Sequence, residues 1–571
     1  MSRLLRVLVV VSMIPMVLAC SRSKEAGDRS AEVTAAKKEV VKQTVPASCD
    51  NLVPPAISQF PAGFDYPQSA TTLKGWVVPG GGDRMRYHAY CVFAGLNQLT
   101  NATPTWRTWG TSTQAFPFQY NPWQKSATEG AGEQAPRPST LNAKNFANAA
   151  VAVGGINNPA PIYDAGAVPV IRDNPRYKPC LQRVPNTNYQ TLKDGVNFES
   201  NGDIMVATVS YNKAALDNIL GTSLYNAAYL DSKLPPTASS PSTTIPPMPP
   251  NSIVLKVMLW PVNGGGSTWT AVTALPIWDW DANKPGSSSD NQYAGYEMQN
   301  FWRRAVAISS GPVTTAEQKR VQFLFGVLDS NGNPMGPNTY NDAQLVGLDR
   351  FYSKKYTDGD LAALSDCDRA ILDASAYWTY KRAFQAGDSL ALIAMHVITK
   401  EQPDWTFQSA WWHPDALACP TATSRYCSDR PNTVPGGVTT YKNYMITTTY
   451  GTTQNAGNRN YYSPPGTKGP IWPVAYNPYI ELAASHPITT NCMNCHHRAA
   501  WPPTTPGTKP DKGRVSTYLQ TSPPNPNALE VYQTNNAVFN GLLMVDSMWA
   551  ISDRGGYPTP GQAESAKAPQ Q

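Results

Sequence analysis

Leu390-Ala391-Leu392-Ile393-Ala394-Met395-His396-Val397-Ile398-Thr399 is an almost unbroken apolar run, dense in branched side chains and bounded by polar residues. Such a run predicts a strand buried on both faces, because stiff branched side chains pack well on a pleated surface. Ser252 to Val262 (SIVLKVMLWPV) reads the same way, and Ile204 to Val209 is a third candidate strand. Helices are expected at Lys213–Leu230, Tyr296–Ile308, Leu361–Tyr380 and Ala528–Ile551, where apolar residues recur closer to the helical period. Only 15% of the 571 residues are charged, while Pro (52), Gly (40), Tyr (28) and Trp (16) are abundant. That balance suits an α+β protein, loop-rich, with a β-sheet core and peripheral helices, better than a helical bundle. No repeat occurs at solenoid or propeller periods.

One histidine in this run stands apart. An imidazole inside a buried strand is either a core residue satisfied by hydrogen bonds or a ligand, and the strand alone leaves both open.

The amino-terminal residues bear on compartment. Arg3 and Arg6 precede a mostly apolar run, Leu4 to Leu18, that is too short to span a bilayer. Val17-Leu18-Ala19-Cys20 closes it and resembles the bacterial lipobox, so residues 1–19 read as a signal peptide and Cys20 as the lipidation site. Residues 20–47 are charged, small and free of aromatics, as a tether would be. A 48–234 amino-terminal α+β lobe is expected next. The Pro/Ser/Thr-rich stretch 235–251 reads as a linker, followed by a 252–556 lobe and a flexible 557–571 tail. The expected location is the cell envelope, as a periplasm-facing or surface outer-membrane lipoprotein, with membrane contact through the lipid anchor alone. The net charge of +6 is too weak and too dispersed to argue for a nucleic-acid partner.

Asn491-Cys492-Met493-Asn494-Cys495-His496-His497 contains C-x-x-C-H, the haem c attachment signature. Two thiols on one helical turn can add to the two vinyl groups of a haem, and the adjacent imidazole then lies beneath the iron. A thioredoxin-like site would open a helix after a strand, whereas Pro487 precedes this motif and Pro502, Pro503 and Pro506 follow it. A zinc site would want a second ligand pair nearby, and there is no second C-x-x-C. One covalent haem c is therefore the expected cofactor, near the carboxyl end, held by Cys492 and Cys495 with His496 as proximal iron ligand.

The sixth ligand comes from a short roll of candidates: His88, His396, His413, His486 and His497 complete the histidines. His497 adjoins the proximal ligand and cannot reach the opposite face of the same haem. His396 is the candidate distal ligand, while Met395 beside it would point to the other face of a strand. Met544 and Met548 fall one turn apart in a segment read as helix, where core packing is the expected role. Trp405, Trp411 and Trp412 are candidates to pack around a porphyrin, or plain core. In an oxidising compartment the remaining Cys49, Cys91, Cys180, Cys367, Cys419 and Cys427 read as three disulfides. The most economical pairing is Cys419 with Cys427, then Cys49 with Cys91 and Cys180 with Cys367. Asp329-Ser330-Asn331-Gly332-Asn333 reads as a turn rather than a calcium loop, and Asp279-Trp280-Asp281 as solvent-facing acids.

Four patches resemble a family of large exported bacterial single-haem cytochromes. They are His88-Ala89-Tyr90 through Phe93-Ala94-Gly95-Leu96-Asn97 with Trp106-Arg107-Thr108-Trp109, then Ser252–Trp260, Leu392–Trp412 and Cys492–Ala499. The resemblance covers a minor part of the chain and departs after Trp412, at His413-Pro414-Asp415. It implies haem binding, electron transfer and a functional role for His396. The expectation is then an electron carrier exchanging electrons with a redox partner protein or a small-molecule donor or acceptor. The alternative is a haem enzyme, peroxidase- or oxygenase-like, with an open distal iron site and His396 or His413 as acid or base. No catalytic residue is assigned.

Overall fold

The computed structural model describes residues 57–77, 82–100, 103–118, 165–183, 190–193, 195–199, 205–265, 272–277, 304–324, 337–416, 430–450, 477–480, 496–497, 499–502 and 539–557. Cys20, Cys49, Cys419, Cys427, Cys492, Cys495 and His486 lie outside these residues, as do the signal, the tether and the segments 279–281 and 329–333.

The fold is α+β, built on a mostly buried sheet. Its helices include α1 (Ala70–Trp76), α2 (Gly82–Leu96), α3 (Lys213–Gly221), α4 (Ala227–Asp231), α5 (Asp358–Ala362), α6 (Asp366–Tyr380) and α7 (Trp549–Arg554). The strands that matter here begin with β1 (Gly110–Thr111), β2 (Val206–Tyr211), β3 (Thr243–Thr244), β4 (Ile253–Val262), β5 (Val272–Ile277), β6 (Arg304–Ser309) and β7 (Gln318–Leu324). They continue with β8 (Pro337–Gly347), β9 (Ser353–Lys355), β10 (Ser389–Thr399), β11 (Thr406–Trp412), β12 (Tyr444–Thr449), β13 (Ala500–Trp501) and β14 (Leu543–Met544).

The central sheet has seven strands in the order β12-β11-β10-β4-β2-β1, with β9 also paired to β10, and every pairing is antiparallel. A four-stranded sheet, β7-β8-β6-β5, and a small three-stranded sheet, β13-β14-β3, complete the part relevant to the site. The Pro/Ser/Thr-rich stretch 235–251 does not separate two sheets: β2 before it and β4 after it are hydrogen-bonded neighbours. The stretch itself contributes β3 and buries Ile245 and Met248, two apolar side chains that composition alone hides.

The two apolar runs form β4 and β10, as their branched residues dictate. Successive side chains leave opposite faces. Leu255, Val257 and Val397 share one core with Ala370, Ile371 and Leu372 of α6. On the other face Tyr211, Val254 and Phe407 pack with Trp501, Leu543, Met548 and Ile551 from the carboxyl-terminal segment. Helix α6 starts at Ser365, whose hydroxyl accepts from Asp368 N at 3.1 Å, a cap worth about 1 kcal/mol. The Cys180–Cys367 disulfide ties its first turn to the 3₁₀ turn Pro175–Cys180, with Cα atoms 5.2 Å apart. Cys91 is fully buried on α2, and its expected partner Cys49 is outside the described residues.

Three helix expectations need correction. Within 296–308 the described part, Arg304–Ser309, is the strand β6, held between β5 and β8. Four consecutive buried residues, Ala305 to Ile308, give no period by which to tell a doubly buried strand from a helix. Lys213–Leu230 is two helices, because Ser223 takes φ +58° and Leu224 N returns to Ile219 O, the left-handed stop of a helix end. Within 528–551 the described part is a turn at Gly541, strand β14, a second turn at Asp546 and Ser547, and only then α7. Met544 is therefore on a strand and Met548 caps α7, both buried in apolar clusters.

Candidate functional site

Antiparallel register places Val209, Lys256, His396, Ser409 and Thr447 side by side across β2, β4, β10, β11 and β12. Directly opposed residues project from the same face, so Lys256, His396, Ser409 and Thr447 form a polar stripe that ends at Val209. Along β2, β4, β10 and β11 every residue is buried except Val209, Lys256, His396 and Ile398. These four adjoin one another on one face, since Ile398 is two positions from His396. The strands are least enclosed at this place, between two aliphatic side chains, a cation and an imidazole whose Nε2 is itself shielded.

His496 arrives at the same face. Its ring lies over Phe407, with centroids 4.8 Å apart, and Phe407 pairs with Ile398 on β10. The electrostatics tie the two histidines together. Burial lowers the His396 pKa well below its usual value, with Lys256 and then His496 pushing the same way. Burial likewise brings His496 down to about 4, the Ser547 carbonyl opposing and His497 and Lys256 adding to the fall. Both imidazoles are therefore neutral at neutral pH.

The Nδ1 of His496 is 2.8 Å from the Ser547 carbonyl oxygen. A carbonyl only accepts, so Nδ1 carries the proton and Nε2 holds the lone pair of the neutral ring. That is the tautomer a metal-ligating imidazole needs, and its orientation is fixed from behind. The carbonyl is presented by a strained turn: Asp546 and Ser547 have φ of +48° and +65°, each costing roughly 1–3 kcal/mol for a residue bearing a Cβ.

Several bonds hold that turn. Asp546 Oδ2 accepts from Met248 N at 2.8 Å, and Oδ1 accepts from Lys400 Nζ at 2.7 Å. The Asp546 carbonyl accepts from Trp405 Nε1 at 2.9 Å, and Trp405 itself has φ +64°. Lys400 also donates to Pro403 O at 2.6 Å and lies 4.9 Å from the centre of the Trp405 ring. The loop joining β10 to β11 and the turn before α7 thus form one locked unit behind the His496 ring.

The other candidates separate. His88, on α2, is enclosed by Asp65 and Glu401 rather than facing His496. His413 lies just past the end of β11, four residues beyond Ser409, where its Nδ1 accepts from Asp415 N at 3.2 Å. His497 is adjacent to His496 and within electrostatic reach of Asp404, Lys400 and Asp546. Met395 pairs with Ala410 and Val257 and leaves the sheet on the face opposite to His396. Trp405 supports the strained turn, Trp412 stacks on Phe351 at 4.1 Å, and Trp411 is core on the His396 side of β11. Sequence reasoning missed Lys256, Lys400, Phe407, Asp546 and Ser547. Lys256 carried a signal, as the one charge within SIVLKVMLWPV. The pair Asp546-Ser547 carried none, because its role lies in backbone direction.

Among the described residues no helix is long and apolar enough to cross a membrane. Comparison of the chain with protein-family models, curated proteins and solved structures finds no match.

Proposed function

We propose that this chain is an exported, lipid-anchored c-type cytochrome with one covalent haem, working in electron transfer. Cys492 and Cys495 would hold the group through sulfur, His496 would ligate iron through Nε2, and His396 would supply the second protein ligand. The observation that carries the reading is the Ser547 carbonyl on His496 Nδ1, which leaves the ligating nitrogen of the C-x-x-C-H histidine unprotonated. The surroundings fit a porphyrin: Val209, Ile398 and Phe407 supply apolar surface, and His396 stands among them. When bound, a haem supplies one-electron Fe(III)/Fe(II) exchange. The chain's own residues orient the imidazole, keep it neutral and shield it behind the locked turn. A lipid at Cys20 would keep the protein at the envelope, where a redox partner protein or a small donor or acceptor meets it.

Half-buried Lys256 beside His396 favours a second reading, a haem enzyme with His396 as acid or base over open iron. Optical spectra of wild type and His396→Ala separate the two. The carrier reading expects a low-spin wild type and a high-spin, carbon-monoxide-binding variant, both keeping pigment after denaturation. A wild type that is already high-spin refutes His396 as ligand, and a colourless denatured chain refutes the haem.

A further inference from the structure

Several cations at least partly shielded from solvent among the described residues are matched with carboxylates. Lys400 bonds to Asp546, Arg382 to Asp388, Arg554 to Glu199 and Arg369 to Asp373. Lys256 departs from this pattern. It is the one charged residue of β4, half-buried at the middle of the seven-stranded sheet, and no carboxylate pairs with it among the described residues. Its opposed neighbours are Val209 and His396, its diagonal ones on β2 and β10 are Ala207, Tyr211, Ala394 and Ile398, and Val254 and Met258 share its strand face. None is acidic. Even a half-buried charge without a counter-charge carries a desolvation cost, which an anionic ligand at this place would offset.

We infer that Lys256 is the anion-binding residue of the haem site, its ammonium pairing with a carboxylate at the edge of the opening formed by Val209, His396 and Ile398. The inference rests on the haem reading and adds the polar contact that reading lacks. A lysine side chain is longer than the imidazole directly beside it, so its charge can reach the rim of whatever the imidazole faces. Two sources of that carboxylate share the chemistry: a propionate of the haem itself, or a free small anion drawn from solution.

The test is acetic anhydride labelling of the full-length pigmented protein, reading Lys256 by mass spectrometry against the exposed Lys355. Protection of Lys256 in dialysed protein, unchanged by added formate, assigns the propionate. Labelling of Lys256 that is lost only when formate is added assigns the free anion. In parallel, Lys256→Met should retain the covalent pigment while its reduction potential moves negative of wild type, and Lys256→Arg should restore it. Lys256 labelling as fast as Lys355 with and without formate overturns the inference, as does an unchanged potential in Lys256→Met. The labelling arm uses wild type, so a variant that fails to fold leaves it decisive. A colourless denatured chain overturns the haem reading and this one together, whereas pigment with an unprotected Lys256 overturns this one alone.

Discussion

His88 should make this protein lose stability as the medium turns alkaline, and the size of the loss follows from its surroundings. The ring is fully buried, with Nδ1 3.3 Å from Asp65 Oδ2 and Nε2 3.2 Å from Glu401 Oε2. Trp76 and Tyr450 enclose it, with ring centroids at 5.7 and 5.8 Å. Burial by itself favours the neutral ring, but the charges and hydrogen bonds of Glu401 and Asp65 outweigh it and push the pKa up to about 9. The folded protein thus binds a proton that the unfolded chain, with a histidine near 6.5, releases earlier. Stability from this proton is complete below about pH 6.5 and is lost as pH rises through 9. A shift of that size corresponds to about 3 kcal/mol. Urea midpoints followed by tryptophan fluorescence from pH 6 to 10 read it directly. His88→Gln is the control, since it keeps a polar side chain without a titrating proton. The variant should start less stable and stay flatter across this window. Parallel curves for wild type and variant would refute the reasoning, by showing that the buried ring is neutral throughout.

Three further outcomes follow from the packing around His496 and α6. Asp546→Ala strips the counter-charge from a lysine side chain only 5% exposed and should cost about 3 kcal/mol in a urea melt, the low end for breaking a buried pair. Ser547→Gly keeps the carbonyl and relieves the positive φ, so it should be neutral or stabilising by about 1 kcal/mol; a larger loss than in Asp546→Ala would show that the hydroxyl, not the backbone, matters. Replacing Cys180 and Cys367 together by serine opens a link across 187 residues and should lower stability by about 5 kcal/mol if chain entropy dominates. Calorimetry with and without reductant checks this, because the variant should lose its response to reductant in that region.

Much of the central sheet was legible because β4 and β10 are unusually apolar and bounded by polar residues, so burial and strand tendency point the same way. Where the two separate, reading fails. Ala305 to Ile308 are small or apolar at every position and fit either element, and only pairing with β5 and β8 settles the matter. Residues 235–251 have the composition of a linker, yet Ile245 and Met248 are buried by a segment nearly three hundred positions later, a contact no local window sees. The disulfide between Cys180 and Cys367 was one of the expected pairs. At the candidate site the histidines were legible because chemistry fixes their spacing or because an imidazole is out of place in a greasy strand. Ser547 acts through a carbonyl and Asp546 through a bent backbone, and such properties leave no mark in residue type.

The parallel pairing of Thr243–Thr244 with Leu543–Met544 has a temporal meaning. Ribosomes make the earlier strand long before its mate, so for much of synthesis Ile245 and Met248 are greasy and uncovered. The ledge behind the His496 ring cannot close until the tail end of the polypeptide is delivered.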